Sequence, residues 1–301
     1  MSYPNSGPVT LKVNLADSPL VESLKSGKVR SELVSLDFCG PKTANQGFKP
    51  MLREGKFDCG ELAIVTFLQA LEYGKPLVLT PAVMVGRFQH RSLVYNSEKS
   101  GRLGPKDLEG RRIAVRAYSQ TTGVWIRAFL QHEYGVDLDR LTWVCWDEPH
   151  PAEYVDPPNV IRMAQGGKSL NETLLDGEVD AAIPAGDVLT NPIIKPIVPD
   201  PQKDAMAWRA KYGTVPINHM FVVRSELSRQ RPDVVRELYR MLLESKRQAP
   251  ASKDGVDLTP FGVESNRRSL ELAIQYAREQ KLITRPFKVE DLFDETTRAV
   301  Q

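Results

Sequence analysis

Gly86-Arg87-Phe88-Gln89-His90-Arg91-Ser92-Leu93-Val94-Tyr95-Asn96 is the stretch on which the reading of this chain turns. An apolar run ends just before it at Val83-Met84-Val85, cationic side chains and an imidazole follow within five residues, and an alternating strand-like pattern then resumes. Polar chemistry is thus concentrated where a strand ends. In open α/β sheets that is where ligands bind, because loops converge on a crevice and backbone groups stay free to bond. Arg87 and His90 are therefore candidate site residues, with solvated loop residues as the plain alternative.

The segments upstream read as strand and helix in turn. Val9 to Leu15 alternates with period two and predicts a strand. Asp17-Ser18-Pro19 is expected to cap a short helix through Leu24. Leu33 to Phe38 predicts a second strand, and Lys49 to Glu54 a helix stopped by Gly55. Phe57 to Ile64 is a brief strand with Glu61 inside it, followed directly by an apolar helix from Val65 to Leu71. Glu61 then stands beside the positive end of a helix dipole. Pro76 to Met84 is a further strand leading into the opening stretch.

Downstream, Asn96 to Asp107 has the polar, glycine-containing composition of a crossover. Arg111 to Val115 predicts a strand, and Ala117-Tyr118-Ser119-Gln120-Thr121-Thr122-Gly123 opens an amphipathic helix over Val124 to Tyr134. Hydroxyls ahead of unpaired helix amides make a carboxylate cradle; the alternative is that Ser119 or Thr121 is only an N-cap. Leu141 to Trp146 and Val179 to Pro184 are strands, the second leaving through the small residues Ala185-Gly186-Asp187. His219 precedes the apolar Met220 to Val223 much as His90 precedes Leu93-Val94, which predicts a two-stranded hinge. Glu226 to Lys246 and Glu264 to Glu279 carry core-facing stripes. Strand, helix, strand order in both halves predicts mostly parallel sheets covered by helices.

Composition narrows the class. A chain of 301 residues exceeds what one core comfortably organises, so two lobes are expected. With 41% hydrophobic and 26% charged residues it reads as globular, and a net charge of +2 gives no basis for nucleic-acid binding. No window reaches the roughly 18 apolar residues of a membrane span. Met1 to Pro8 lacks the basic start and apolar core of a secretory signal, so a cytoplasmic setting is expected. Cys39, Cys59 and Cys145 form neither a disulfide framework nor a zinc knuckle, and small apolar packing is the expected role of each. His132 is expected to be solvated, and His150 sits in a Pro-rich loop.

Taken in order, Gly55-Lys56-Phe57-Asp58 with Glu61, Arg87-Phe88-Gln89-His90, Tyr118 through Trp125 and Arg127, Glu133-Tyr134-Gly135-Val136, Leu170-Asn171 with Gly177-Glu178-Val179-Asp180-Ala181, and Pro216-Ile217-Asn218-His219 make a pattern. It resembles the 4,5-dihydroxyphthalate decarboxylase family from about Val9 to Arg247. The resemblance implies an α/β, two-lobed, type 2 periplasmic-binding-protein-like fold with two hinge-crossing strands. Residues 1–96 plus 220–301 would form the first lobe and 97–219 the second, with the ligand between. The chain departs from the family pattern at Arg116-Ala117-Tyr118-Ser119-Gln120 for Pro-Glu-Tyr-Gln, at Phe88-Gln89-His90 for Phe-Arg-His, and at Thr121-Thr122 for Thr-Ala. These changes touch the site and bear on substrate identity.

The implied reaction needs a base at a phenol, an acid at the ring carbon bearing the carboxylate, and a cation for a spectator carboxylate. His219 is expected to be the acid, and His90 with Glu61 the phenol side, with the reverse assignment as the alternative and both imidazoles titrating near neutrality. Arg87, Tyr118, Ser119, Thr121, Thr122, Trp125 and Arg127 are the expected substrate-binding residues. No cofactor is expected; the alternative is a divalent metal held by Glu61, His90 and His219. The expected partner is a small aromatic carboxylate, with no nucleic acid and no membrane, and association as a homo-oligomer is left open. A non-catalytic solute receptor is the competing function, since one frame serves both.

Overall fold

The computed structural model describes residues 3–164, 166–184, 186–252 and 255–300. The chain begins β1 (Val9–Asn14), α1 (Glu22–Lys25), β2 (Val34–Asp37), β3 (Cys59–Ala63), α2 (Ile64–Glu72) and β4 (Leu77–Gly86). It continues β5 (Val94–Asn96), α3 (Ser97–Ser100), β6 (Arg112–Val115), α4 (Thr121–His132), β7 (Thr142–Cys145), β8 (Val160–Arg162), α5 (Leu170–Asp176), β9 (Ala181–Ala182), β10 (Ile194–Pro196) and α6 (Pro201–Tyr212). It ends β11 (Ile217–Arg224), α7 (Ser225–Gln230), α8 (Pro232–Gln248), α9 (Val263–Glu279) and α10 (Glu295–Ala299). Ala185, in the expected small-residue exit, lies outside the described residues.

Two units result. The first comprises Met1–Arg87, Ile217–Arg278 and Ile283–Gln301, the second Phe88–Pro216 and Glu279–Leu282. Residues 88–96, expected in the first lobe, fall in the second unit because β5 bonds to β9 and β10 there. The four residues 279–282 also join the second unit, a crossing that nothing in the sequence pattern announces.

The first unit is built on a five-stranded sheet ordered β2-β1-β3-β11-β4. Strands β1, β2 and β3 are parallel, whereas β11 runs antiparallel to both β3 and β4. The strand that pairs with β11 is therefore β4, not the Leu93-Val94 strand that mirrors it in sequence. Pro81 sits within β4, which is tolerable because β4 is the sheet edge and its register with β11 shifts there. One face of the sheet packs on α8, whose Val234, Val235, Leu238, Met241 and Leu242 recur at helical spacing into the core. The predicted long helix from Glu226 breaks at Arg231, where Pro232 starts a new one. Ser18 makes no side-chain cap, so the Asp17-Ser18-Pro19 start is a short 3-10 turn before α1.

The second unit holds a six-stranded sheet ordered β10-β5-β9-β6-β7-β8, parallel through β9, β6, β7 and β8. Helix α5 carries a reciprocal Ser169–Glu172 capping box and stops at Gly177 in the left-handed region. Of the cysteines, Cys59 and Cys145 are buried as expected, but Cys39 is exposed. Among the described residues no helix is long and apolar enough to cross a membrane.

Candidate functional site

In the first unit, β3 and β11 place a carboxylate and an imidazole on one face. Phe221 lies opposite Glu61, and His219 lies opposite Ala63. Side chains alternate along strands, so Glu61 and His219 are diagonal neighbours on the same face, within reach for long side chains. Glu61 Oε1 and His219 Nδ1 are 2.5 Å apart. The Glu61 side chain is only 5% exposed against 18% for His219, so the acid sits behind the ring. The Ala16 amide also donates to Oε2, over 3.4 Å. An ionised carboxylate only accepts, so the proton on this bond belongs to Nδ1, leaving Nε2 as the nitrogen that gives or takes a proton. Phe48 meets the imidazole edge to face, with centroids 5.3 Å apart at 81°, and fixes the ring plane.

Two residues that sequence reasoning missed support this pair. Asn14, fully buried at the end of β1, donates from Nδ2 to Ala44 O at 3.0 Å and Glu61 O at 3.3 Å. It thereby ties the turn carrying Phe48 to the strand carrying Glu61. The approach is so close that a Cβ on Gly60 would lie 2.3 Å from the Asn14 carbonyl oxygen, and Gly60 has φ +153°. The available signal was a polar side chain ending an apolar strand, with glycines at 40, 47 and 60 facing it. Arg87, just beyond β4, is exposed.

In the second unit, His90 is buried and stacks on Phe129 of α4, with centroids 4.2 Å apart at 11°. Its Nδ1 has no hydrogen-bond partner among the described residues. Burial pushes its pKa down to about 4, with Asp204 and Glu133 opposing that shift. The expectation that both imidazoles titrate near neutrality therefore fails for His90, which is neutral at pH 7. Glu61 takes His219 as its imidazole partner, so the expected grouping of Glu61 with His90 on the phenol side gives way to a Glu61–His219 unit.

Helix α4 begins at Thr121, three residues before the expected Val124, with Gln120 at the N-cap and no side-chain cap bond. Neither Ser119 nor Thr121 is the cap. Tyr118, Ser119, Thr121 and Thr122 are all buried around this helix start. Trp125 packs against Trp208 and Phe129, and so is a core side chain of the unit. Arg127 is likewise wholly inside, donating to Tyr118 O and Gln280 Oε1, each at 2.6 Å. Direct contact of Arg127 with a substrate is not what this placement offers. His132, expected to be solvated, pairs with Glu279 at 2.7 Å. Within either unit, no group of three described His, Cys, Asp or Glu side chains is arranged to hold a metal.

Two α/β units with these sheet orders define the class: the fold is that of the SsuA-type periplasmic binding proteins, as the resemblance implied. The periplasmic aliphatic sulphonate binding protein SsuA from Escherichia coli matches with a TM-score of 0.62 at 13% identity, over 96% of this chain and 92% of that one. No family model matches the sequence. Two curated proteins do, both named 4,5-dihydroxyphthalate decarboxylase. The one from Comamonas testosteroni is 31% identical over 191 residues, 60% of this chain and 58% of the relative. The one from Pseudomonas putida is 29% identical over 167 residues, 52% of this chain and 64% of the relative. The chain thus spans less than two thirds of either relative's length.

Proposed function

We propose that the protein is a carboxy-lyase that removes CO2 from a hydroxylated phthalate-like acid, such as 4,5-dihydroxyphthalate, to give a dihydroxybenzoate. The observation that carries this reading is the Glu61–His219 pair at 2.5 Å, an imidazole oriented by a carboxylate as proton-transfer chemistry requires. The shared name of the two curated relatives supports the substrate class.

Direct loss of CO2 from a benzene ring would leave an aryl carbanion. A hydroxyl para to the carboxylate removes this obstacle. His219 Nε2 gives a proton to the ring carbon bearing the carboxylate while the phenol oxygen gives its own to solvent water, making a dienone. The bond to the carboxylate then breaks, its electron pair returns to the ring, and the phenol oxygen regains a proton. Glu61 holds the charged imidazole through Nδ1. Arg87 is assigned to the spectator carboxylate. No metal enters this scheme.

The test is purified protein mixed with 4,5-dihydroxyphthalate, with CO2 and dihydroxybenzoate measured together. The His219→Ala variant should fold and bind the acid yet turn over roughly 10²- to 10⁴-fold more slowly. Tight binding by the wild type with no product would instead favour a solute-binding protein, the reading to which the likeness in fold to SsuA also lends itself.

A further inference from the structure

The guanidinium of Arg127 is an unusual core component. It is fully buried, and among the described residues no carboxylate lies within ion-pair distance of it. Its ring neighbours stand in for a counterion: Cζ lies 3.9 Å from the centroid of Tyr118 and 4.9 Å from that of Trp143. Asp156 acts on it from a distance but is itself paired with Arg162. Nη1 has no hydrogen-bond partner among the described residues.

The position of that atom matters. A Cβ added to Gly123 would lie 3.2 Å from Nη1, so the guanidinium rests against the first turn of α4. Nη2 meanwhile bonds the carbonyl of Tyr118, two residues before the N-cap. The N-cap side chain offers nothing to the turn, and Gln120 Oε1 is itself buried without a partner. A whole positive charge thus reinforces a helix start that already carries a partial one.

We infer that Arg127 is a positioning residue that works through the first turn of α4, making that turn select a carboxylate over a neutral group without touching it. The inference rests on the proposed reading of the substrate as an aromatic dicarboxylate.

Phthalate, which lacks the phenol and cannot react, and its neutral isostere phthalamide serve as probes for calorimetric titration. Binding is thereby measured separately from turnover, so an absence of decarboxylation leaves this test intact. Arg127→Met should weaken phthalate on the order of tenfold or more while leaving phthalamide within about twofold, because an unscreened charge acts only on the anion. Arg127→Lys should keep most of the preference. If Arg127→Met does not fold, Gln280→Glu retains the guanidinium but gives it a carboxylate, and should show the same selective loss. Equal weakening of both probes, or no change in either, overturns the inference, as does a wild type that does not prefer phthalate.

Discussion

Replacing Glu61 with glutamine isolates the charge behind His219 from the shape that carries it. The amide is isosteric with the carboxylate and keeps an acceptor oxygen for Nδ1, so the 2.5 Å contact can persist in neutral form. What is lost is the charge-assisted part of the bond, worth about 1.5–3 kcal/mol for an ionised partner against about 1 kcal/mol for a neutral one. The carboxylate side chain is 5% exposed, so water does little to screen that difference. A difference of about 0.5–2 kcal/mol, at 1.36 kcal/mol per decade, predicts that Glu61→Gln slows decarboxylation by roughly 2- to 30-fold at saturating substrate. The protein should stay folded and bind phthalate as the wild type does. Dihydroxybenzoate formation followed at saturating 4,5-dihydroxyphthalate, beside calorimetric binding of phthalate, measures both arms. A variant that turns over within about twofold of wild type refutes the argument that the carboxylate holds the acid.

Buried, neutral His90 predicts acid sensitivity. With a folded pKa of about 4 against about 6.5 unfolded, the unfolded chain takes up the proton first, so stability falls as pH drops from 6.5 to 4 and is fully present above. The loss is on the order of 3 kcal/mol, and His90→Phe, which keeps the stack on Phe129, should flatten this slope in urea titrations at pH 4 and 7; an unchanged slope would assign the acid sensitivity elsewhere. Gly60→Ala forces a methyl to 2.3 Å from a backbone oxygen at φ +153°, and should cost more than about 4 kcal/mol in denaturant unfolding. A loss under about 1 kcal/mol would mean that β1 and β3 can part freely. Prolonged dialysis against a chelator should leave the decarboxylation rate unchanged, and activity lost to chelator and restored by a divalent ion would install the metal alternative.

The fold was legible where one period dominates. Val9, Leu11 and Val13 alternate inward as β1 requires, and Gly177 stops α5 where its left-handed conformation is needed. The pairing of strands was not legible: Leu93-Val94 and Met220 to Val223 look alike, yet one joins the second unit's sheet and the other lies between β3 and β4. Hydrogen-bond partners are set by tertiary packing, which single-strand periodicity does not carry. The site was legible as a list of polar residues but not as a set of environments. Glu61 and His219 are 158 positions apart in sequence, and only the antiparallel register of β3 and β11 makes them diagonal neighbours. Arg127 and Trp125 enter the expected binding set through the resemblance, but α4 turns both into the core. His90 has an ordinary imidazole's chemistry until its burial and its stack on Phe129 are known.

The return of residues 279–282 to the second unit sets an order on biosynthesis. Gln280, which bonds both Arg127 Nε and the Val124 carbonyl, follows Arg127 by 153 positions. A nascent chain therefore carries the wrapped cation of α4 without its amide partner until 153 further residues have been added. Neither unit corresponds to a continuous run of codons, so a ribosome stalled anywhere before Leu282 releases a fragment in which the second unit is incomplete.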